Sequence, residues 1–351
     1  MCSRAVVAIA AGALWACTPA VDAVDGGADA GASEDASADA PADARPTPGQ
    51  AFVGPSVLSE TGLYDDVAAA TLAPGVMPFR VRFELWADGA EKQRWIYLPP
   101  GTRIDTRDPD VWVFPIGTRV WKEFRVDGVR VETRFLHKVE ADRWENVAYV
   151  WRADGSDADA RPEGATDVLG TPHDVPAIDD CFTCHRGAID GLNGVGAIQL
   201  ATGAPDDFLV QLEAAALVTD PIAPRPAIPG TELEQSALGY LHANCGHCHD
   251  SAHPLSRFRA LRLRIPVGLV DPLDAPAVRT TVGAEMHHDA DGTTIAVVPG
   301  DPLSSQLYVR MLHRGDEWDM PPGPTDASDF VDEAGAELVR AWIEGLPATR
   351  P

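Results

Sequence analysis

The first half of the chain alternates hydrophobic and polar positions with the two-residue period of a half-buried β-strand. This alternation, or a run of aromatic and β-branched residues, occurs at 79–85, 95–98, 111–114 and 147–151. Asp127 and Gly128 stand between two further apolar runs, a pairing typical of a tight hairpin. We therefore expect a mainly antiparallel β domain over 51–160.

From about residue 180 onward, apolar residues recur at helical spacing instead. The pattern predicts helices at 208–214, 232–244 and 333–346, with a proline-rich connection between the first two. The expected fold class is α+β with several domains. The β domain would be followed by a mostly α-helical region, in two parts, 161–228 and 229–351.

Residues 1–50 differ in composition from the rest and are expected to lie outside the folded domains. Residues 1–16 carry a basic residue and a short apolar run, which is typical of a signal peptide. Cys17 follows them, and the sequence around it is similar to the signal of bacterial lipoproteins. We therefore expect a lipid on Cys17. Residues 17–50 are mainly Ala, Asp, Gly, Ser and Pro, which predicts a disordered acidic stalk.

Charge and motifs exclude several function classes. The formal net charge is −25 at pH 7, so the surface repels phosphate backbones and no nucleic-acid partner is expected. The sequence contains no G-x-S-x-G elbow, Walker loop or H-E-x-x-H motif. Conventional hydrolases and P-loop nucleotide enzymes are therefore not indicated.

The most specific chemical signal is the pentapeptide C-x-x-C-H, which occurs at 181–185 and again at 245–249. Two thiols at this spacing can bond to the two vinyl groups of one porphyrin, and the next residue can bind its iron through imidazole. We therefore expect two covalently attached c-type haems. Their thioether and proximal iron ligands would be Cys181, Cys184 and His185 for the first haem, and Cys245, Cys248 and His249 for the second.

The cysteine count agrees with this assignment. Cys2 would leave with the signal peptide and Cys17 would carry lipid, so the other four of the six cysteines are accounted for by two haems. A tetrahedral zinc site is the alternative. Paired cysteines of zinc ribbons usually stand about 15 to 20 residues apart, and zinc gives no reason for a histidine directly after each pair.

The sixth ligand of the second iron is expected to be Met320, which precedes Pro321 and Pro322 shortly before the last predicted helix. A thioether is a soft ligand suited to haem iron. Met286 and Met311 are the competing methionines, and Met311 lies in an amphipathic stretch where burial is the simpler use.

The sixth ligand of the first iron is ambiguous. His173, in the loop before the first pentapeptide, is the leading candidate metal ligand, and an open iron is also possible. The other candidates are the remaining side chains with a suitable donor: His137, His242 and Met77. His247 and His253 are expected at the surface. The answer matters because a six-coordinate haem mainly exchanges electrons, whereas an open one can bind peroxide or a gas.

Together these motifs resemble a family of bacterial periplasmic dihaem c-type cytochromes with a tryptophan-rich N-terminal domain. The segments that carry the resemblance are 58–64, L-W-A-D-G-A-E-K at 85–92, 94–99, 114–118, 121–124, 132–134, 240–245, P-G-D-P at 299–302, M-P-P at 320–322 and W-I at 342–343. The resemblance covers nearly everything after residue 50. It implies haem binding and electron transfer, supports Met320 as a ligand, and implies that the last part is similar to class I cytochrome c.

The leading functional expectation is therefore a non-enzymatic electron carrier of the bacterial periplasm or cell envelope. It would be anchored to a membrane through Cys17, the outer rather than the inner one, and would exchange electrons with a periplasmic redox partner whose identity is open.

The first alternative is a peroxidase-like enzyme with an open first haem. The second is a cytochrome whose β domain binds glycan or polymer through tryptophans, six of which lie between Trp86 and Trp151. Burial of those indoles in the core is the simpler expectation.

Replacing Met320 by histidine tests its expected role. Exchanging thioether for imidazole should lower the reduction potential of one haem only, within the range of about 0.8 V that axial ligands span. Potentiometric titration followed by visible absorption measures both potentials. Two unchanged potentials in Met320→His would remove Met320 from the iron.

Overall fold

The computed structural model describes residues 54–185, 190–204, 206–253, 256, 260–315, 318–321 and 330–348. All of them belong to one compact unit, Ala44–Pro351. The expectations for the signal peptide, the stalk and Cys17 concern residues outside the described ones. Pro322, the last residue of the M-P-P motif, also lies outside the described residues.

The expected antiparallel β structure is confirmed as one six-stranded sheet, in which every strand pairs with its neighbour in sequence. Its strands are β3 (Val76–Phe79), β4 (Glu91–Tyr97), β5 (Arg119–Val126), β6 (Val129–Lys138), β7 (Trp144–Trp151) and β8 (Ala158–Ala160). The short pair β1 (Tyr64–Asp66) and β2 (Thr71–Leu72) precedes it. Asp127 and Gly128 both adopt positive φ and join β5 to β6, so the predicted hairpin is confirmed.

One face of this sheet carries a tryptophan-rich core. Trp95, Trp121 and Trp151 are buried there, and Leu58 and Leu63 pack over them. The indole N–H of Trp121 donates to Thr61 Oγ1 at 2.9 Å, and that of Trp151 donates to Thr133 Oγ1 at 3.0 Å. Among the described residues every tryptophan is buried or half-buried. The expectation that the indoles fill the core holds for Trp95, Trp112, Trp121 and Trp151, whereas Trp86 and Trp144 are half-buried.

The opposite face is divided between an apolar part and a charged part. Ile96, Val120 and Leu136 pack against Leu200 and Phe208. Further along the strands the same face carries Arg94, Lys122 and Arg134 directly opposite one another in β4, β5 and β6. The charged part therefore faces the C-terminal half of the chain.

Two of the predicted strands are wrong. Only Phe79 of 79–85 belongs to a strand, because the next amides bond to the helical region: Arg82 N–H donates to Gln199 O and Phe83 N–H to Gln199 Oε1. The run at 111–114 makes a single bridge, between Val113 and Asp105. Alternation alone does not reveal where backbone hydrogen bonds go.

The helices are α1 (Ile178–Cys184), α2 (Ala197–Leu200), α3 (Phe208–Ala214), α4 (Glu232–Asn244), α5 (Pro276–Thr281), α6 (Gln306–Met311) and α7 (Glu333–Gly345). The three predicted helices are confirmed as α3, α4 and α7. Irregular segments and the hairpin of β9 (Glu285–Ala290) and β10 (Thr293–Ile295) separate the others, so the described C-terminal half is mixed rather than mostly helical. None of the described helices is long and apolar enough to cross a membrane.

The two longest helices, α4 and α7, pack against each other. Thr231 and Glu234 form a reciprocal capping box at the start of α4. Trp342 of α7 and Leu241 of α4 belong to one apolar core. Gly239 of α4 faces the ring of Phe83, which a methyl group at this position would meet. Phe83 thus ties the segment after β3 to α4.

Thr133→Val tests whether the hydrogen bond to Trp151 stabilises the sheet. The substitution keeps the side-chain shape but leaves a buried indole N–H unpaired, so we expect a loss of about 1–3 kcal/mol in the free energy of unfolding. Urea unfolding followed by fluorescence measures it. Val129→Thr at the exposed hairpin is the control and should change stability by less than about 0.5 kcal/mol. Equal effects of the two substitutions would contradict the prediction.

Candidate functional site

A large cavity lies between the charged part of the sheet and the C-terminal half of the chain. The centre of a water molecule can move through a volume of about 220 Å³ inside it. By the same measure, a cavity that holds one buried water needs only about 10–15 Å³. Side chains of both pentapeptides line it, together with Met320. The structure therefore brings together cysteines that stand some sixty residues apart in sequence.

The first pentapeptide begins within α1, and His185 follows the last residue of that helix. His185 Nδ1 lies 2.7 Å from the carbonyl oxygen of Gly191, and Asn193 Nδ2 donates to Cys184 O at 2.8 Å. Because a carbonyl only accepts, Nδ1 carries the proton and Nε2 keeps its lone pair. Burial, followed by the charge of Lys122, lowers the pKa of His185 to about 3. This neutral tautomer is the one that binds a metal through Nε2.

The loop that orients His185 is held by the buried carboxylate of Asp190. Asp190 pairs with Lys138 at the end of β6, and it also accepts from Phe114 N–H and from the indole of Trp144 at 3.2 Å. Asp190 directly precedes Gly191, whose carbonyl contacts the His185 ring. The sheet thereby positions the imidazole of the first pentapeptide.

The second pentapeptide follows α4 without a break. Cys245 N–H donates to Leu241 O at 3.0 Å, and His249 N–H donates to Cys245 O at 2.9 Å. Gly246 is required between them, because a methyl group there would stand 2.6 Å from the carbonyl oxygen of His242. His249 is buried. As predicted, α4 leads directly into this pentapeptide.

All four cysteines of the pentapeptides are free thiols. Burial raises the pKa of Cys181 to about 11 and that of Cys245 to about 12. A hydrogen bond to Cys248, followed by burial, raises the pKa of Cys184 to about 12. The sulfurs of Cys184 and Cys248 and a ring nitrogen of His247 lie within 4.8 Å of one another. The second cysteines of the two pentapeptides are therefore neighbours.

Met320 lines the same cavity, and two arginines hold the backbone of the segment 318–320. Arg310 of α6 donates to Trp318 O at 2.8 Å, and Arg314 donates to Met320 O at 3.3 Å. Met286 and Met311 also line the cavity. Met311 is buried in the core with α4 and α7, as its amphipathic stretch predicts.

His173 is buried at the edge of the cavity and belongs to a polar network. The Nε2 of His173 lies 2.9 Å from Glu132 Oε2, and the His173 ring lies beside Phe124. Glu132 in turn pairs with Arg134 at 2.6 Å. Burial alone would raise the pKa of Glu132, but Arg134 and His173 outweigh burial and lower it. One ring nitrogen of His173 is therefore already engaged by the protein.

The other candidate ligands of the first iron have structural contacts. His242 Nδ1 accepts from Ile265 N–H at 2.9 Å, His137 stacks on Phe135, and Met77 packs against an apolar core. His247 is half-buried and lines the cavity. The expectation that His253 is at the surface is wrong, because this side chain is buried.

Three cations of the sheet, which sequence reasoning did not nominate, also line the cavity: Lys92, Lys122 and Arg134. Burial lowers the pKa of Lys92 to about 8. Burial and then the Arg94 charge lower the pKa of Lys122 to about 7. A signal for these residues was present in the sequence, because Lys92, Lys122 and Arg134 lie in three of the segments that carry the family resemblance, 85–92, 121–124 and 132–134.

The residues present fit a covalently attached haem at each pentapeptide. The cavity holds four free thiols, an imidazole in the metal-binding tautomer, a thioether and several cations suited to carboxylates. Comparison of the chain with protein-family models, curated proteins and solved structures gives no match. The chemistry of the site therefore rests on the chain's own residues.

Asp190→Asn tests the anchor of the His185 loop. The variant leaves Lys138 buried without its counter-charge, so unfolding should require about 3–5 kcal/mol less free energy in urea. Asp274→Asn, which affects an exposed pair with Arg279, is the matched control and should cost less than about 1 kcal/mol. Similar losses in the two variants would show that Asp190 is not an anchor.

Proposed function

We propose that the protein is a dihaem c-type cytochrome that transfers electrons at the bacterial cell envelope. The observation that carries this proposal is the convergence of two C-x-x-C-H pentapeptides on one cavity, with His185 Nδ1 bonded to Gly191 O. Haem, when bound, would supply reversible one-electron chemistry. The chain's own contribution is to tether, orient and enclose it.

The residues divide into tethers and iron ligands. Cys181 and Cys184 would form the thioethers of the first haem, and His185 would bind its iron through Nε2. The second haem would be held by Cys245, Cys248 and His249, with Met320 as sixth ligand. Support comes from Arg310 and Arg314, which fix the backbone of 318–320. It also comes from α4 and α7, which occupy the sequence positions of the first and last helices of class I cytochromes.

The contact between the two pentapeptides favours an electron relay. Because Cys184 and Cys248 are neighbours, the tethers of the two haems would lie side by side. Electrons could then pass between the haems without leaving the protein. Arg134, Arg310 and Arg314 line the cavity and offer charge-assisted hydrogen bonds to haem carboxylates.

Zinc is less well supported by the same geometry. Cys184, His247 and Cys248 form a group of three possible ligands, but this group leaves Cys181, Cys245 and both proximal histidines without a role. Structural zinc sites are almost always four-coordinate. Haem gives a role to both histidines and all four thiols.

The proposal includes the place of action. Cytochrome c maturation occurs outside the inner membrane, so the protein would act in the periplasm with Cys17 as its lipid anchor. Its partner would be another periplasmic redox protein. The buried or half-buried tryptophans leave the described part of the β domain without the exposed indoles that a glycan-binding surface needs.

Cysteine variants made in a cytochrome-maturing host test the proposal. In a denaturing gel stained for haem, Cys181→Ala and Cys245→Ala should each retain about half of the staining per chain, because each removes one attachment site. The double variant should retain almost none.

The wild-type chain made in a host without maturation proteins is the control and should not stain. A wild-type chain that carries no covalent haem in the maturing host, but binds zinc with Cys184 and Cys248, would contradict the proposal.

A further inference from the structure

Lys122 occupies the centre of the cavity-facing part of the sheet. It lies in β5 directly opposite Arg94 of β4 and Arg134 of β6. It lines the large cavity and also a smaller neighbouring cavity, and His185 lines both as well. Lys122 and the imidazole of the first pentapeptide therefore border the same space.

Lys122 differs from the neighbouring cations in its partners. Lys92 bonds to Leu85 O and lies 3.9 Å from Glu84, Arg94 pairs with Glu84, and Arg134 pairs with Glu132. Lys122 makes no hydrogen bond or ion pair with the residues that the structure describes. The half-buried side chain of Lys122 borders the cavity, so its amine is available to a group that occupies the cavity.

The surroundings of Lys122 favour a metal over a carboxylate as that group. Arg134, Arg310 and Arg314 already line the cavity as permanent cations for carboxylates. An amine can also act as a neutral nitrogen donor once its proton is lost. Burial and the adjacent arginines, which lower the pKa of Lys122, act in the direction that frees its lone pair.

We propose that the Lys122 amine is the distal ligand of the iron bound by His185, an inference that rests on the dihaem function proposed above. His173, the candidate from sequence, has its Nε2 committed to Glu132. With Lys122 bound, the first iron has six ligands and no open position for peroxide or gas. The first haem is then an electron-transfer centre rather than a peroxidase centre.

The test compares Lys122→Ala and Lys122→Arg in the full chain made in a cytochrome-maturing host. Both variants should retain two haems by staining. In both, one haem should change from low-spin to high-spin in the ferric electron paramagnetic resonance spectrum. The reduced variants should bind one more carbon monoxide per chain than the wild type, because arginine keeps the charge but does not ligate iron.

Arg80→Ala is the control, since Arg80 is exposed and lines neither cavity. Its spectra should equal those of the wild type. Spectra unchanged in both Lys122 variants would overturn the inference. A Lys122→Arg variant that behaves as the wild type would also overturn it, because this result would indicate charge pairing with a haem carboxylate. A change of spin state in His173→Ala would overturn it as well.

If the Lys122 variants do not accumulate, near-infrared magnetic circular dichroism of the wild-type ferric protein decides the question. The charge-transfer band of a histidine–amine haem is expected beside that of a histidine–methionine haem. A bis-histidine band in place of the histidine–amine band would overturn the inference. Absence of covalent haem from the wild type would instead refute the proposed function.

Discussion

The structure depends on a space that its own side chains do not fill. Protein interiors are close-packed, yet a cavity of about 220 Å³ separates the charged part of the sheet from α4 and the Met320 loop. Its walls combine thiols, imidazoles and cations with a larger apolar surface, to which Phe124, Leu263 and Met311 contribute, and collapse would leave the polar groups among them buried without partners. This mixed lining suits the apolar ring and the carboxylates of the proposed haem.

The two faces of the sheet have correspondingly different roles. The indoles of the tryptophan face have their contacts within the β domain. Trp121 and Trp151 are buried, and their N–H groups donate to Thr61 and Thr133. The other face supplies Lys122 and Arg134 to the cavity. The β domain is thus one wall of the cavity, and it positions His185 through Asp190.

Local signals predicted the elements whose causes are local. The Asp127-Gly128 turn, the capped helix α4, the amphipathic helix α7 and both pentapeptides were predicted because each depends on neighbouring residues. The strand at 79–85 failed because its amides bond to Gln199, more than a hundred residues away. Asp190 was missed because its partners Lys138, Phe114 and Trp144 are distant in sequence. Lys122 was missed because alternation along a strand does not show what covers the second face of the sheet.

Intact mass spectrometry of the mature wild-type protein, purified from a cytochrome-maturing host, tests the central claim most directly. The account predicts a mass equal to that of the mature chain, with any lipid, plus two covalently bound haems. Peptide mapping should place one on the segment with Cys181 and Cys184 and the other on the segment with Cys245 and Cys248. A chain that gains no haem mass, with four titratable thiols after unfolding, would contradict the account.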